Sequence, residues 1–178
     1  DLVLSGKAGL DLGIVRAYSS RIWGRGDGLD AEPLLAEKDP SPLGYGWSMH
    51  MGRLQRPNAT GQPLACGGGD YPVYEAPDGM ARTFYPVAGS NARFKSRDAW
   101  LLDTQCMSGR ACITTTSGDR LEFASSAQYF VGVSPVWPLT AHQDVFGNSI
   151  GVTYLSGGRV NVITDTWTRT VTFSYSSC

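Results

Sequence analysis

Near the end of the chain, hydrophobic and polar residues alternate one by one. Ile150, Val152 and Tyr154 alternate with Ser149, Gly151 and Thr153, and Val171, Phe173 and Tyr175 alternate with threonines and Ser174. A period of two sets one face of a strand against a core and the other in water. Turn residues break the alternation at 144–148, at Gly157-Gly158 and at 165–168. A further strand fits between the last two, from Arg159 to Thr164. The pattern over 139–178 therefore predicts a meander.

The same reading extends toward the N-terminus. Leu2 and Leu4 alternate, Gly6 to Gly9 turns the chain, and Leu10, Leu12 and Ile14 alternate again, which predicts two strands. Residues 31–38 suit two helical turns, with Pro33 in the first turn and Pro40 and Pro42 ending it. Residues 44–56 read as one strand with bulky residues on one face, and 57–70 as a loop. Strands follow near 71–75, 80–85, 92–95, 98–105, 112–116, 119–124 and 127–131. Pro135 and Pro138 bracket an expected rigid corner. No linker or charge run divides the chain, so 1–178 is expected to be one domain: an opening segment (1–56), hairpins (57–138) and the meander (139–178). The expected fold is all-β, an antiparallel meander, curled sheet or sandwich of short strands with little helix.

Composition supports this. The 178 residues suffice for one core, and 22 glycines and 10 prolines suit many short strands and turns. A net charge of −1 leaves no electrostatic footprint for nucleic acid. No apolar run approaches the roughly 20 residues of a membrane-spanning helix. The chain opens on Asp1 rather than Met, which suggests a processed product or part of something longer. Its four cysteines suit an oxidising compartment. Cys106 and Cys112 flank a short loop with Gly109, so paired flanking strands would bring them within disulfide reach. Cys66 with Cys178 follows by elimination; four free buried thiols are the alternative. No CxxC is present and His50 and His142 lie away from any cysteine cluster, so neither a metal nor another cofactor is expected.

The closing segment also carries a family resemblance. Asp144, Gly147-Asn148, Tyr154, Gly158-Arg159-Val160, Ile163-Thr164-Asp165, Arg169, Phe173 and Tyr175 resemble the RHS/YD-repeat pattern. Gly9-Leu10-Asp11-Leu12 with Arg16-Ala17-Tyr18-Ser19-Ser20, and Leu43-Gly44-Tyr45-Gly46-Trp47-Ser48, are similar to segments that precede such repeats. Pro77-Asp78-Gly79 and the run from Ser117 to Phe123 resemble its turns before strands. The resemblance implies a β-rich shell built from strand-turn-strand units. Members are usually far longer, whereas this chain carries one or two units.

Specific chemistry is sparse. Arg25-Gly26-Asp27 matches a receptor-read tripeptide, and Asp27, Asp30 and Glu32 crowd one loop, but their spacing fails the EF-hand pattern and solvated loop carboxylates suffice. Asn58-Ala59-Thr60 is a glycosylation sequon. His142 and Asp144 are two residues apart, on one face of a strand, yet no GxSxG accompanies them and no catalytic residue is assigned. Trp23, Trp47, Trp100, Trp137 and Trp167 are available for core packing or for stacking on sugars. The leading expectation is a non-enzymatic, extracellular or cell-surface structural protein. It would self-assemble by strand pairing into a fibre or larger shell, with Asp1, Leu2, Val3, Leu4 and Ser5 as donor strand. The expected partner is another copy or the remainder of a longer RHS chain, with covalent or bound glycans possible and neither nucleic acid nor a membrane span involved. The alternatives are a fragment of a longer toxin or cargo-enclosing shell, and a carbohydrate-binding β-domain.

Overall fold

The computed structural model describes residues 2–18, 23–25, 31–33, 43, 47–56, 71–107, 109–131 and 134–176, with residues 23–25, 31–33 and 131 described by their backbone alone. Strand β1 (Leu2–Leu4) pairs with β2 (Leu12–Ile14) around a short 3-10 turn. Strands β3 (Ala17–Tyr18), β4 (Trp23–Arg25), β5 (Ala31–Pro33) and β6 (Trp47–Ser48) make two further pairs, β3 with β6 and β4 with β5. The expected helix over 31–38 is thus replaced at its start by a strand. Pairing with β4 outweighs local helical preference, which is a weak prior; the remainder lies outside the described residues.

Strands β7 (Arg53–Gln55), β8 (Val73–Glu75), β9 (Ala81–Pro86), β10 (Arg93–Ser96), β11 (Leu101–Met107), β12 (Arg110–Thr114) and β13 (Arg120–Phe123) run up and down, each antiparallel to the next. After the short β14 (Tyr129–Val131), the ten-residue β15 (Ser134–Gln143) pairs with both β13 and β7. That closes an eight-stranded barrel, the curled form of the expected all-β fold. At this strand number the interior is just wide enough for side chains to fill. Leu54, Tyr74, Phe84, Leu102, Ile113 and Phe123 share one buried core. Each such side chain stabilises by about 1.5–3 kcal/mol.

Two expectations are corrected here. The single strand over 44–56 is broken between β6 and β7, where Gly52 adopts a φ of +116°. The corner expected at Pro135 and Pro138 is instead the first half of β15. The partners of β15 change along its length. Residues 134–138 pair with β14 and β7, and residues 139–143 pair with β13 and the strand that follows. Pro138 lies beside the bulge at this change, where its carbonyl accepts from the Ala124 N–H at 3.0 Å. A bulge tolerates the missing N–H of proline.

Strands β16 (Ser149–Tyr154), β17 (Val160–Thr164) and β18 (Thr170–Thr172) continue from β15 as a meander outside the ring. Alternation of direction gathers five connections at one end of the molecule: 76–80, 96–100, 115–119, 144–148 and 165–169. Among the described residues these five share one design. The first N–H bonds the fifth carbonyl, the fourth N–H bonds the first carbonyl, and the fourth residue has positive φ. This is the three-residue hairpin loop with a G1 bulge. Glycine holds the fourth position in three of them; Ala99 (φ 68°) and Thr168 (φ 61°) hold it in the others. The opposite end carries the Cys106–Cys112 disulfide.

Candidate functional site

The hairpin of β1 and β2 lies across the turn end. Leu10, Leu12 and Ile14 join the barrel core, and the Arg169 guanidinium donates to the Ser5 carbonyl at 2.6 Å. Between hairpin and barrel is a chamber of about 330 Å³. Its apolar floor is formed by Met51, Tyr74, Leu121, Leu139 and Ile150, with Trp100 at the side. Its polar rim comprises Asp11, Thr115, Ser117, Asp119 and His142. Ser117 Oγ donates to Asp119 Oδ2 at 3.1 Å, and His142 Nε2 lies 3.7 Å from the same oxygen. That Nε2 is sealed from solvent and makes no hydrogen bond. Burial pushes the Tyr74 hydroxyl up to about 12, so it remains a neutral phenol.

A second polar cluster packs on β7 and β8. Arg53 Nε and Gln55 Nε2 donate to Glu75 Oε2 at 2.9 and 3.0 Å, and His50 Nε2 faces Glu75 Oε1 at 3.4 Å. The Gly52 N–H donates to His50 Nδ1, which places the proton of the neutral ring on Nε2, toward Glu75. Burial alone would raise the Glu75 pKa. The facing His50 ring and the charge and bonds of Arg53 outweigh it and bring it down to about 2. These groups are engaged with one another and tie β7 to β8.

The third feature is a structural repeat with an offset of 21 residues. Asp144 Oδ1 accepts from the Phe146 and Asn148 N–H groups, and Asp165 Oδ1 accepts from those of Trp167 and Arg169. The Tyr154 hydroxyl donates to the Leu139 carbonyl at 2.6 Å; the Tyr175 hydroxyl donates to the Val160 carbonyl at 2.7 Å. The first unit is β15 with β16, and the second is β17 with β18. On β18 the Phe173 N–H bonds Asn161 and the Arg169 carbonyl bonds Asp165. Ladder bonds alternate sides along a strand. Thr170, Thr172 and Ser174 therefore turn their backbone groups to the outer edge, where no strand is paired among the described residues.

The structure brings together some of the residues singled out in the sequence. Cys106 and Cys112 form a disulfide with Cα atoms 5.9 Å apart. Leu2, Val3 and Leu4 pair along one edge with β2 of the same chain, and Leu4 packs on the core. His142 and Asp144 make different contacts: Asp144 caps its turn and His142 faces Asp119. Trp137 is buried, whereas Trp47 and Trp167 are 39% and 50% exposed. Arg25 lies in β4 and Glu32 in β5. Asp1, Gly26, Asp27, Asp30, Asn58, Cys66 and Cys178 lie outside the described residues. Among the described residues, no three His, Cys, Asp or Glu side chains form a metal-binding group. No helix there is long and apolar enough to cross a membrane. Sequence reasoning missed the chamber. Thr115, Ser117 and Asp119 alternate in the sequence, but His142 reaches them only because β15 pairs with β13.

No protein-family model matches the chain, and no curated protein matches it in sequence. Among solved structures it is similar to the N-terminal domain of the effector protein SpvB from Salmonella typhimurium strain LT2. The TM-score is 0.51 and the identity 13%, over 93% of this chain and 63% of that one. The likeness is one of fold, and the chain spans less than two thirds of that domain's length.

Proposed function

We propose that the chain is a non-enzymatic structural module: a closed barrel that anchors an open-ended run of β-hairpins belonging to a larger secreted shell. The observation that carries this reading is the 21-residue repeat ending on the outer edge of β18. Each unit offers its last strand to the first strand of the next, as β16 does to β17. A third strand of the same kind would satisfy the outward groups of Thr170, Thr172 and Ser174. The RHS/YD resemblance fits this arrangement, since its aspartates and tyrosines fall at the repeated turn caps and hydroxyl bonds. The disulfide favours an oxidising, extracellular setting. Similarity to a bacterial effector domain supports a place in a toxin-like chain.

The same edge supports a second reading, in which another copy supplies the strand and the product is a fibre. The β1 strand offers as donor an edge that carries no strand among the described residues, its other edge being paired with β2. Replacing Thr172 with Pro tests both readings. It removes an outward N–H and leaves the ladder to β17 intact. The oxidised chain should associate with rising concentration in light scattering, and T172P should remain monomeric with an unchanged melting curve. Association unaffected by T172P, or a strictly monomeric parent chain, contradicts strand addition between copies at this edge. The intact mass of native material then decides whether further units follow in the same chain.

A further inference from the structure

We infer that the chamber beneath the N-terminal hairpin is a binding site for a small organic amine: a compact apolar ring carrying a positively charged arm. Its described lining residues include two carboxylates, Asp11 and Asp119, one histidine, His142, which faces Asp119, and no lysine or arginine. Arg82 lies against the Trp100 wall. It stacks on that ring at 4.1 Å and is paired with Asp98 at 2.7 Å, which offsets part of its charge. Among the described residues the Asp11 carboxylate accepts one bond, from the Gly6 N–H, and Asp119 accepts from Ser117, with the unbonded His142 Nε2 3.7 Å away. Two carboxylates above a floor of Met51, Tyr74, Leu121, Leu139 and Ile150 match an ammonium above an apolar body. Trp100 and Tyr74 add aromatic surface to the wall, with one face of Trp100 already carrying Arg82.

The volume of about 330 Å³ lies at the lower end of small-molecule sites. It suits one ring with a short arm rather than a chain of sugars. Neutral and anionic ligands of the same shape are disfavoured, because they leave the carboxylates uncompensated or repelled. The site is independent of strand addition at β18, which lies outside the ring.

Phenethylamine, 2-phenylethanol and phenylacetate share this shape and differ in charge. Each can be titrated into the full oxidised chain while the indole N–H resonances are followed, with that of Trp100 assigned through W100F. Phenethylamine should shift Trp100 and residues 115–119 saturably. 2-Phenylethanol should bind about tenfold more weakly and phenylacetate not at all. Asp119→Asn should weaken phenethylamine about tenfold while leaving resonance dispersion intact, because the turn there is capped by Thr115 Oγ1 rather than by Asp119. Asp98→Asn, outside the chamber, should leave binding unchanged. Equal binding of the alcohol and the amine, unchanged binding to D119N, shifts confined to other regions, or no saturable shift would each overturn the assignment.

Discussion

The closed ring and the trailing meander use the same hairpins and differ in how their edges are satisfied. In the ring, β7 and β13 both find β15, and the enclosed side chains are nearly all inaccessible. In the meander, β16 to β18 cover the outside with one buried face, and Val171, Phe173 and Tyr175 stay half-buried. Closure therefore concentrates stability, whereas the open run leaves an outer edge without a paired strand among the described residues.

The comparison breaks most sharply at aromatic positions. Phe123→Ala in the ring should cost about 3–5 kcal/mol in urea unfolding, and Phe173→Ala in the meander about 1–2 kcal/mol. Equal losses would mean that the meander is as integral as the ring. Acid should act next, and on the ring. The Glu75 pKa falls from an ordinary 4.5 to about 2, so its contribution is fully present above about pH 4.5 and is lost as pH drops toward 2. The loss is roughly 3 kcal/mol, and Glu75→Gln should remove that part of the acid dependence of the melting temperature.

Reduction of Cys106–Cys112 should cost about 2–3 kcal/mol, because the closed loop is short. Non-reducing peptide mapping and melting with and without reductant measure it. The smallest effect is expected in the meander: Thr168→Gly relieves a positive φ in a non-glycine residue and should gain about 0.5–1 kcal/mol. The equivalent Gly147→Ala should lose a similar amount. No gain at 168 would mean that the Thr168 hydroxyl, which donates to the Trp167 carbonyl at 2.6 Å, compensates the strain.

Strand existence was legible because local rules govern it. Alternation and turn residues located β9 to β13 and β16 to β18 within a few positions, and the spacing about Gly109 identified the disulfide. Ring closure was not legible: the β13–β15 and β7–β15 pairings join distant segments and leave no periodic mark. Prolines in β15 misled for a related reason. Their cost depends on which neighbour needs the N–H, and that neighbour is known only once the ring is assembled. The chamber shares this fate, since Asp11, Asp119 and His142 come from three separate stretches.

The position of β15 has a consequence for synthesis. It is the last stave of the ring to be made and the one strand that touches β7, β13, β14 and β16. Until residue 143 has left the ribosome, β7 to β13 can form only an unclosed sheet with two bare sides. Contacts such as Trp137 with Leu54 join residues more than eighty positions apart, a separation that slows folding. The nascent chain therefore passes through a stage in which its own unfinished sheet attracts neighbours, and arrival of a single strand ends that exposure on both sides at once.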